Sequence, residues 1–287
     1  MESIFSRLSP SLQNALRYLY EQRTRPILIV GNGPSLASID YDRYPHNPLI
    51  VRINNFFFED KYYVGNHVDF VLCATHHKQR LLAYYITLQR VIAQRDYIFS
   101  DSACIATPYE IESYKSKNPY YPIINLQELL SLVPYVCAMH SGLYIRDFLP
   151  STHPTTGMSA LMSMVLLGFT TIYIAGIDFY SGNGADSSYV YQMQSKINMR
   201  KQYLENVELY TNNKCRDNEC HSLNFDLECL RWCQEKTNNR IYSLCSTSDI
   251  TNSVIPLASK RGGGDTSYIP EIKAEHTLQD YLYIEKK

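Results

Sequence analysis

The chain has 287 residues, an apolar fraction of 45% and a formal net charge of −1. That length suits one large α/β unit with a sizeable core, and near-neutral charge excludes a nucleic-acid partner because no basic field is available. No stretch reaches the ~18 uninterrupted apolar residues of a membrane-spanning helix, and eight cysteines without a secretory signal point to reduced thiols and a cytoplasmic location.

Residues 1–25 read as an N-terminal amphipathic helix. Ile4, Phe5, Leu8, Leu12, Ala15, Leu16 and Leu19 recur at helical spacing, a stripe expected to pack on the main domain. Glu2, Arg7 and Arg17 interrupt any apolar run, so this is not a secretory signal. Residues 26–260 read as the main domain. Pro26 to Val30 is a strand candidate leading into the turn Gly31-Asn32-Gly33-Pro34-Ser35. Leu49 to Ile53 is a second strand ending at Asn54-Asn55, and Phe70 to Cys73 a third. A long helix follows from Lys78 to Arg95, then a weaker strand from Tyr97 to Phe99 and a short helix from Leu126 to Leu132.

The clearest unit starts at Thr155-Thr156-Gly157, a helix start with Thr156 as the expected cap. The helix runs to Leu167, Gly168 stops it, and Thr171 to Ala175 forms a strand ending at Gly176-Ile177-Asp178. Over residues 181–220 the pattern weakens, with Gly182, Gly184 and many polar residues, and the segment reads as a lid over a site. Asn224 to Lys236 is helical again and Ile241 to Cys245 is the last strand. Residues 261–287, which open with Arg261 and three glycines, read as a C-terminal tail. The alternation predicts an α/β fold, a Rossmann-like, mostly parallel sheet with helices on both faces and a lid insertion.

The chemistry-bearing residues gather at strand ends. The first glycine turn follows a strand and is expected to precede a helix, where backbone N–H groups and the helix dipole favour an anion. Leu36 stands where the third glycine of a dinucleotide fingerprint would be, and no acidic residue closes the second strand. The turn is therefore either a nucleotide cradle or a tight connection, and an NAD site is disfavoured. Asp178 and Tyr180 follow a strand end, and Tyr189 lies nine residues further on; two phenols can donate to a phosphate without a metal. His221 precedes a helix and is the best-placed general base, since imidazole titrates near neutrality. His76-His77 has no supporting neighbour. Asp40-Tyr41-Asp42 matches a D-x-D metal motif literally but reads as a solvated turn. Cys215, Cys220, Cys229 and Cys233 lack the paired C-x-x-C spacing of a zinc site. No metal and no bound cofactor are expected.

Taken together, Gly31 to Leu36, Asn54-Asn55-Phe56, Phe58-Glu59-Asp60-Lys61-Tyr62-Tyr63, Gly176-Ile177-Asp178-Phe179-Tyr180 and His221-Ser222 resemble the bacterial sialyltransferases of glycosyltransferase family 42. This is the group of the Campylobacter lipooligosaccharide sialyltransferases. The resemblance implies a metal-independent fold related to the GT-A type, with a nucleotide-sugar donor, CMP-sialic acid, and a glycan acceptor. It implies that Gly31, Asn32 and Gly33 hold the cytidine part and that Asp178 lies near the ribose, with Gly157 and Gly176 also among the substrate-binding residues. Asn54, Asn55 and Thr156 would meet the sialyl group and its carboxylate. Tyr180 and Tyr189 would donate to the phosphate, Ser188 nearby, with His221 as general base. A homotetramer and attachment to the inner face of the inner membrane are further implications. The charges expected for attachment are diluted, with Lys260, Arg261, Lys273, Lys286 and Lys287 offset by five acidic residues, so only weak peripheral association is expected.

Two positions depart from the family pattern. His153 stands where the family has an arginine, and Ala74, beside Thr75, stands where it has an asparagine. Two other readings compete: a motility-accessory-like sugar or phosphoryl transferase sharing the G-x-G-P-S-L turn, and a nucleotide-binding interaction protein that has lost activity.

Overall fold

In a computed structural model of the chain, residues 4–73, 78–94, 96–107, 123–133, 154–179, 223–261 and 270–274 are described. Among the described residues seven strands form one sheet: β1 (Ile27–Val30), β2 (Leu49–Ile53), β3 (His67–Leu72), β4 (Ile98–Thr107), β5 (Ile123–Asn125), β6 (Ile172–Ala175) and β7 (Ile241–Ser243). Their order is β5-β4-β3-β2-β1-β6-β7 and every neighbouring pair is parallel. A parallel sheet needs both faces covered, which is why its strands read as continuous apolar runs.

Alternation within each strand divides the core in two. Ile27 and Ile29 of β1, with Leu49, Val51 and Ile53 of β2, join one cluster. Leu28 and Val30, with Ile50 on β2, join the other. The first face is covered by α1 (Pro10–Glu21), α3 (Gln127–Leu130), α4 (Thr156–Leu166) and α5 (Leu223–Lys236). The second is covered by α2 (Lys78–Ala93) and by the aromatic run Phe56, Phe57 and Phe58.

The N-terminal stripe packs as expected from its spacing: Phe5, Leu8, Leu12, Leu16 and Leu19 are buried in the first core cluster. It is not one helix, because Pro10 lacks a backbone donor and can only begin a helix; Ile4–Arg7 forms a separate 3-10 turn. Several boundaries also differ from expectation. The glycine turn leads into a 3-10 turn, Pro34–Ser38, rather than a full helix. There the Ser38 hydroxyl donates to the Ser35 carbonyl, satisfying it locally. The fourth strand is much longer than Tyr97 to Phe99, and β5 and α6 (Asp249–Val254) carry too little periodicity to be read. The segment 270–274, expected within a tail, packs on the domain: Tyr62 N donates to Glu271 O at 2.9 Å and Lys273 N to Asp60 O at 3.0 Å.

One charge interrupts the second core. Arg52 points inward from β2, fully buried, and its guanidinium donates to the buried Glu59 carboxylate at 2.5 Å. Glu59 also accepts from the Tyr97 hydroxyl at 2.6 Å. Burial, reinforced by Glu59, raises the Tyr97 phenol well above its ordinary value, and burial with Asp60 does the same for Tyr63. Arg52→Met, by leaving Glu59 buried without its cation, is expected to lower unfolding free energy by about 3–5 kcal/mol, read from urea melts; a change under ~1 kcal/mol would refute a structural role for the pair. The phenols give a second expectation. Their folded forms hold the proton more tightly than the unfolded chain does, so their contribution is intact below about pH 10 and lost as pH rises further. Urea midpoints should hold up to about pH 10 and fall from there toward about pH 12, and a flat profile over that range would contradict the assignment.

Candidate active site

The strand order turns at the β1–β6 pair, since β2 lies outward from β1 and β7 outward from β6. In open parallel sheets the crevice at the carboxyl ends of such a pair is where ligands collect. Here that crevice is built from glycines. Gly31 N donates to Ala175 O and Gly33 N to Gly176 O, both at 2.8 Å. A Cβ on Gly31 would overlap the Gly176 carbonyl, and one on Gly33 would overlap the Asp178 carboxylate. Gly176 has φ +63 and a Cβ there would lie 2.7 Å from Gly31 O. The two turns approach so closely that only glycine fits.

Asp178 sits at the mouth of this crevice. Its Oδ2 accepts from Ser35 N at 2.9 Å, whereas Oδ1 is buried with no hydrogen-bond partner. Asn32 shows the same pattern. Its Nδ2 donates to Ile53 O at 2.9 Å and its Oδ1 is buried without a partner. A buried polar atom with no partner costs free energy unless something supplies one. Both orphans are acceptors, so the missing groups are donors such as hydroxyls or amines.

Asn54 and Asn55 continue from β2 along the same edge. Asn54 adopts φ +48, a conformation asparagine tolerates better than most residues. Its amide donates to Leu72 O, its carbonyl accepts from the Tyr84 hydroxyl, and its Nδ2 donates to Thr156 Oγ1 at 3.1 Å. Thr156 is therefore not the helix cap. Thr155 is: its hydroxyl accepts from Met158 N, which frees Thr156 to face Asn54. Gly157 packs on Ile177, where a Cβ would come within 3.3 Å of Cδ1. Thus Gly31, Asn32, Gly33, Asn54, Thr156, Gly157, Gly176 and Asp178 form one connected rim, with Asn55 the next residue along the chain. His153, Tyr180, Ser188, Tyr189 and His221 lie outside the described residues, as do Ala74, Thr75, His76 and His77.

The other residues singled out have structural partners. Asp40 accepts from Asp42 N and pairs with Arg43 at 2.8 Å, a capped 3-10 turn. Cys229 and Cys233 are buried in the core, where burial pushes both thiols up, Cys229 to about 12. Among the described residues no cluster of potential metal ligands occurs and no helix is long and apolar enough to cross a membrane.

A model of the alpha-2,3-sialyltransferase (CST-I) family matches residues 25–287. The chain belongs to that family. It is a glycosyltransferase of the sialyltransferase type. Among solved structures it is similar to the monofunctional alpha-2,3-sialyltransferase Cst-I of Campylobacter jejuni, with TM-score 0.69, 24% identity and coverage of 93% of this chain and 90% of that one. It is similar too to the sialyltransferase CST-II in complex with trisaccharide acceptor and CMP, with TM-score 0.64, 24% identity and coverage of 91% and 96%. An uncharacterized protein of Haemophilus influenzae is 24% identical over 167 residues, 56% of this chain and 67% of that protein. The structural likenesses carry the fold; the family model carries the enzyme class.

Sequence reasoning missed Asp226. This carboxylate, on the first turn of α5, is buried and accepts from Thr155 N at 2.9 Å and from Thr155 Oγ1 at 2.7 Å. It ties the start of the sialyltransferase's α5 to the start of α4, the helix that presents Thr156 and Gly157. The one available signal is an acidic residue in a first helical turn, which is common enough to pass for a dipole effect. Asp226→Asn turns an amide N–H₂ toward those donors. It is expected to destabilise the sialyltransferase by about 1.5–3 kcal/mol, read by thermal unfolding; an unchanged melting temperature would rule out the tie.

Proposed function

We propose that this sialyltransferase takes sialic acid from CMP-sialic acid and transfers it, with inversion and without a metal ion, to a sugar hydroxyl of a surface glycan such as lipooligosaccharide. The observation that carries the donor assignment is Asp178: one carboxylate oxygen is held by Ser35 N, while the other is buried and unpartnered at the strand-order switch point. A ribose hydroxyl is the donor that such an oxygen lacks. In the same reading Gly31, Asn32 and Gly33 hold the cytidine part, and the Asn32 Oδ1 acceptor takes a second donor from it. Asn54, Asn55, Thr156 and Gly157 line the sialyl side, and Gly176 keeps the nucleotide close to the backbone.

In this mechanism the acceptor oxygen attacks the anomeric carbon as the bond from that carbon to the phosphate oxygen breaks. CMP leaves from the opposite face with the electron pair. His221 takes the acceptor hydroxyl proton, which makes the oxygen a better nucleophile as the bond forms. Tyr180 and Tyr189, with Ser188 nearby, donate to the departing phosphate, each donor being worth about 2–4 kcal/mol by analogy with oxyanion holes. A monophosphate develops less charge than a diphosphate, which is why phenols suffice. His153 occupies the position in the sequence at which the family carries an arginine. The reaction takes place at the cytoplasmic face, where nucleotide sugars are available, with the glycan as second partner.

The test is CMP release and product formation from CMP-sialic acid with a lactose-terminated acceptor, in EDTA. His221→Ala is expected to lower kcat by about 10²–10⁴ while donor KM changes little. Wild-type kcat/KM should fall on the acid side as the imidazole base becomes protonated, and His221→Ala should lose that limb. Activity lost to EDTA and restored by a divalent cation would reject the metal-free mechanism. CMP binding with neither transfer nor hydrolysis would reject the enzyme reading of this chain.

A further inference from the structure

Among the described residues, the least expected buried charge is an ammonium. Lys273 is 4% exposed, although it lies in a stretch whose sequence reads as a solvated tail. An amine at such depth is costly unless paired and hydrogen-bonded. Its Nζ donates to Phe57 O at 2.8 Å and to the Tyr97 hydroxyl at 3.3 Å, and lies 3.9 Å from Asp96 Oδ2. It also stands 4.6 Å over the Tyr97 ring and 5.6 Å over the Tyr62 ring. Those contacts place it in the ionic cluster already described, since Tyr97 donates to Glu59 and Glu59 accepts from Arg52.

The backbone follows the same route. Lys61 and Ile272 form an antiparallel bridge, flanked by Tyr62 N to Glu271 O and Lys273 N to Asp60 O. A short piece of the C-terminal chain is thus added to the loop 54–63. That loop has only a 3-10 turn, Phe56–Phe58, as regular structure of its own, so its path is set by what grips it. At one end it holds Asn54, hydrogen-bonded to Thr156 on the rim of the crevice. In its middle, Lys273 holds the carbonyl of Phe57, three residues on. Apolar residues would fill the same space, but a buried ammonium must keep its acceptors, and the Phe57 carbonyl is one of them.

We propose that Lys273 is a positioning residue for the sialyl side of the active site: it clamps the Phe56–Phe58 turn and thereby sets where Asn54 and Asn55 stand. This rests on the donor reading given above, and it makes residues 270–274 part of the catalytic fold rather than an appendage. The alternative is that Lys273 only neutralises Asp96.

Two variants separate these. Lys273→Met keeps length and apolar bulk and leaves Asp96 without its nearby cation. Lys273→Met combined with Asp96→Asn removes both charges and restores neutrality. The measurements are thermal stability, hydrogen exchange of the amides in 54–63, and donor kinetics. If Lys273 positions the turn, the double variant regains most of the stability lost by the single one. Its 54–63 amides still exchange faster by about tenfold or more, with β1 and β6 amides unchanged. Its kcat/KM for CMP-sialic acid is lower by about 10–100-fold, whereas its affinity for CMP alone, which lacks the sialyl group, stays within about twofold. Wild-type exchange at 54–63 in either variant, or a double variant with wild-type kcat/KM, would overturn the proposal. A wild-type protein inert toward CMP-sialic acid would instead sink the donor reading, and the exchange comparison would still decide whether the clamp exists.

Discussion

The crevice depends on two chain reversals that approach too closely to carry side chains. After β1 the chain turns through Gly31 and Gly33, after β6 through Gly176, and the amides of the first donate to the carbonyls of Ala175 and Gly176. This contact joins two strands far apart in sequence at the point where the sheet changes direction. It also brings Asp178 beneath Ser35 with one oxygen satisfied and the other left over. A single Cβ at any of the three glycines would push the turns apart and move that carboxylate. The catalytic fold of the sialyltransferase thus rests on backbone proximity before any side-chain chemistry begins.

Around that contact, irregular segments are held by directional bonds. The loop after β2 and the start of α4 carry the residues proposed to meet the sugar, and neither is gripped by packing alone. Arg52, Glu59, Tyr97 and Lys273 hold the first from below; Asp226 holds the second from the side. Buried charges are poor sources of stability compared with apolar residues of equal volume, and their use here fits selection of one geometry. The F-E-D-K-Y-Y run acquires a physical reading in this way. Glu59 and Asp60 are buried acceptors, and Tyr63 donates to Asp60 at 3.0 Å, so the run is a scaffold for Asn54 and Asn55.

Much of this was legible from residues in order. Strands β1, β2 and β6 stood out as apolar runs ended by glycine or asparagine, and those endings are the rim itself. The helices α2, α4 and α5 had enough periodicity to locate within a few residues. What escaped notice was short or depended on a partner. β5 has three residues and α6 six, too few to show a period. Thr156 passed for a cap because Thr155 and Thr156 have the same hydroxyl, and only the position of Met158 N distinguishes them.

The sequence by itself determined the fold class, the family and the location of the rim residues at strand ends, because apolar period, glycine turns and local motifs are written in neighbouring residues. Only the tertiary structure decided that Arg52 pairs with Glu59, that Asp226 anchors Thr155, and that Lys273 is interior rather than a surface charge. Those contacts span separations up to 216 residues. A lone charge has no local signature of its burial, because the groups that make burial tolerable arrive from elsewhere in the chain.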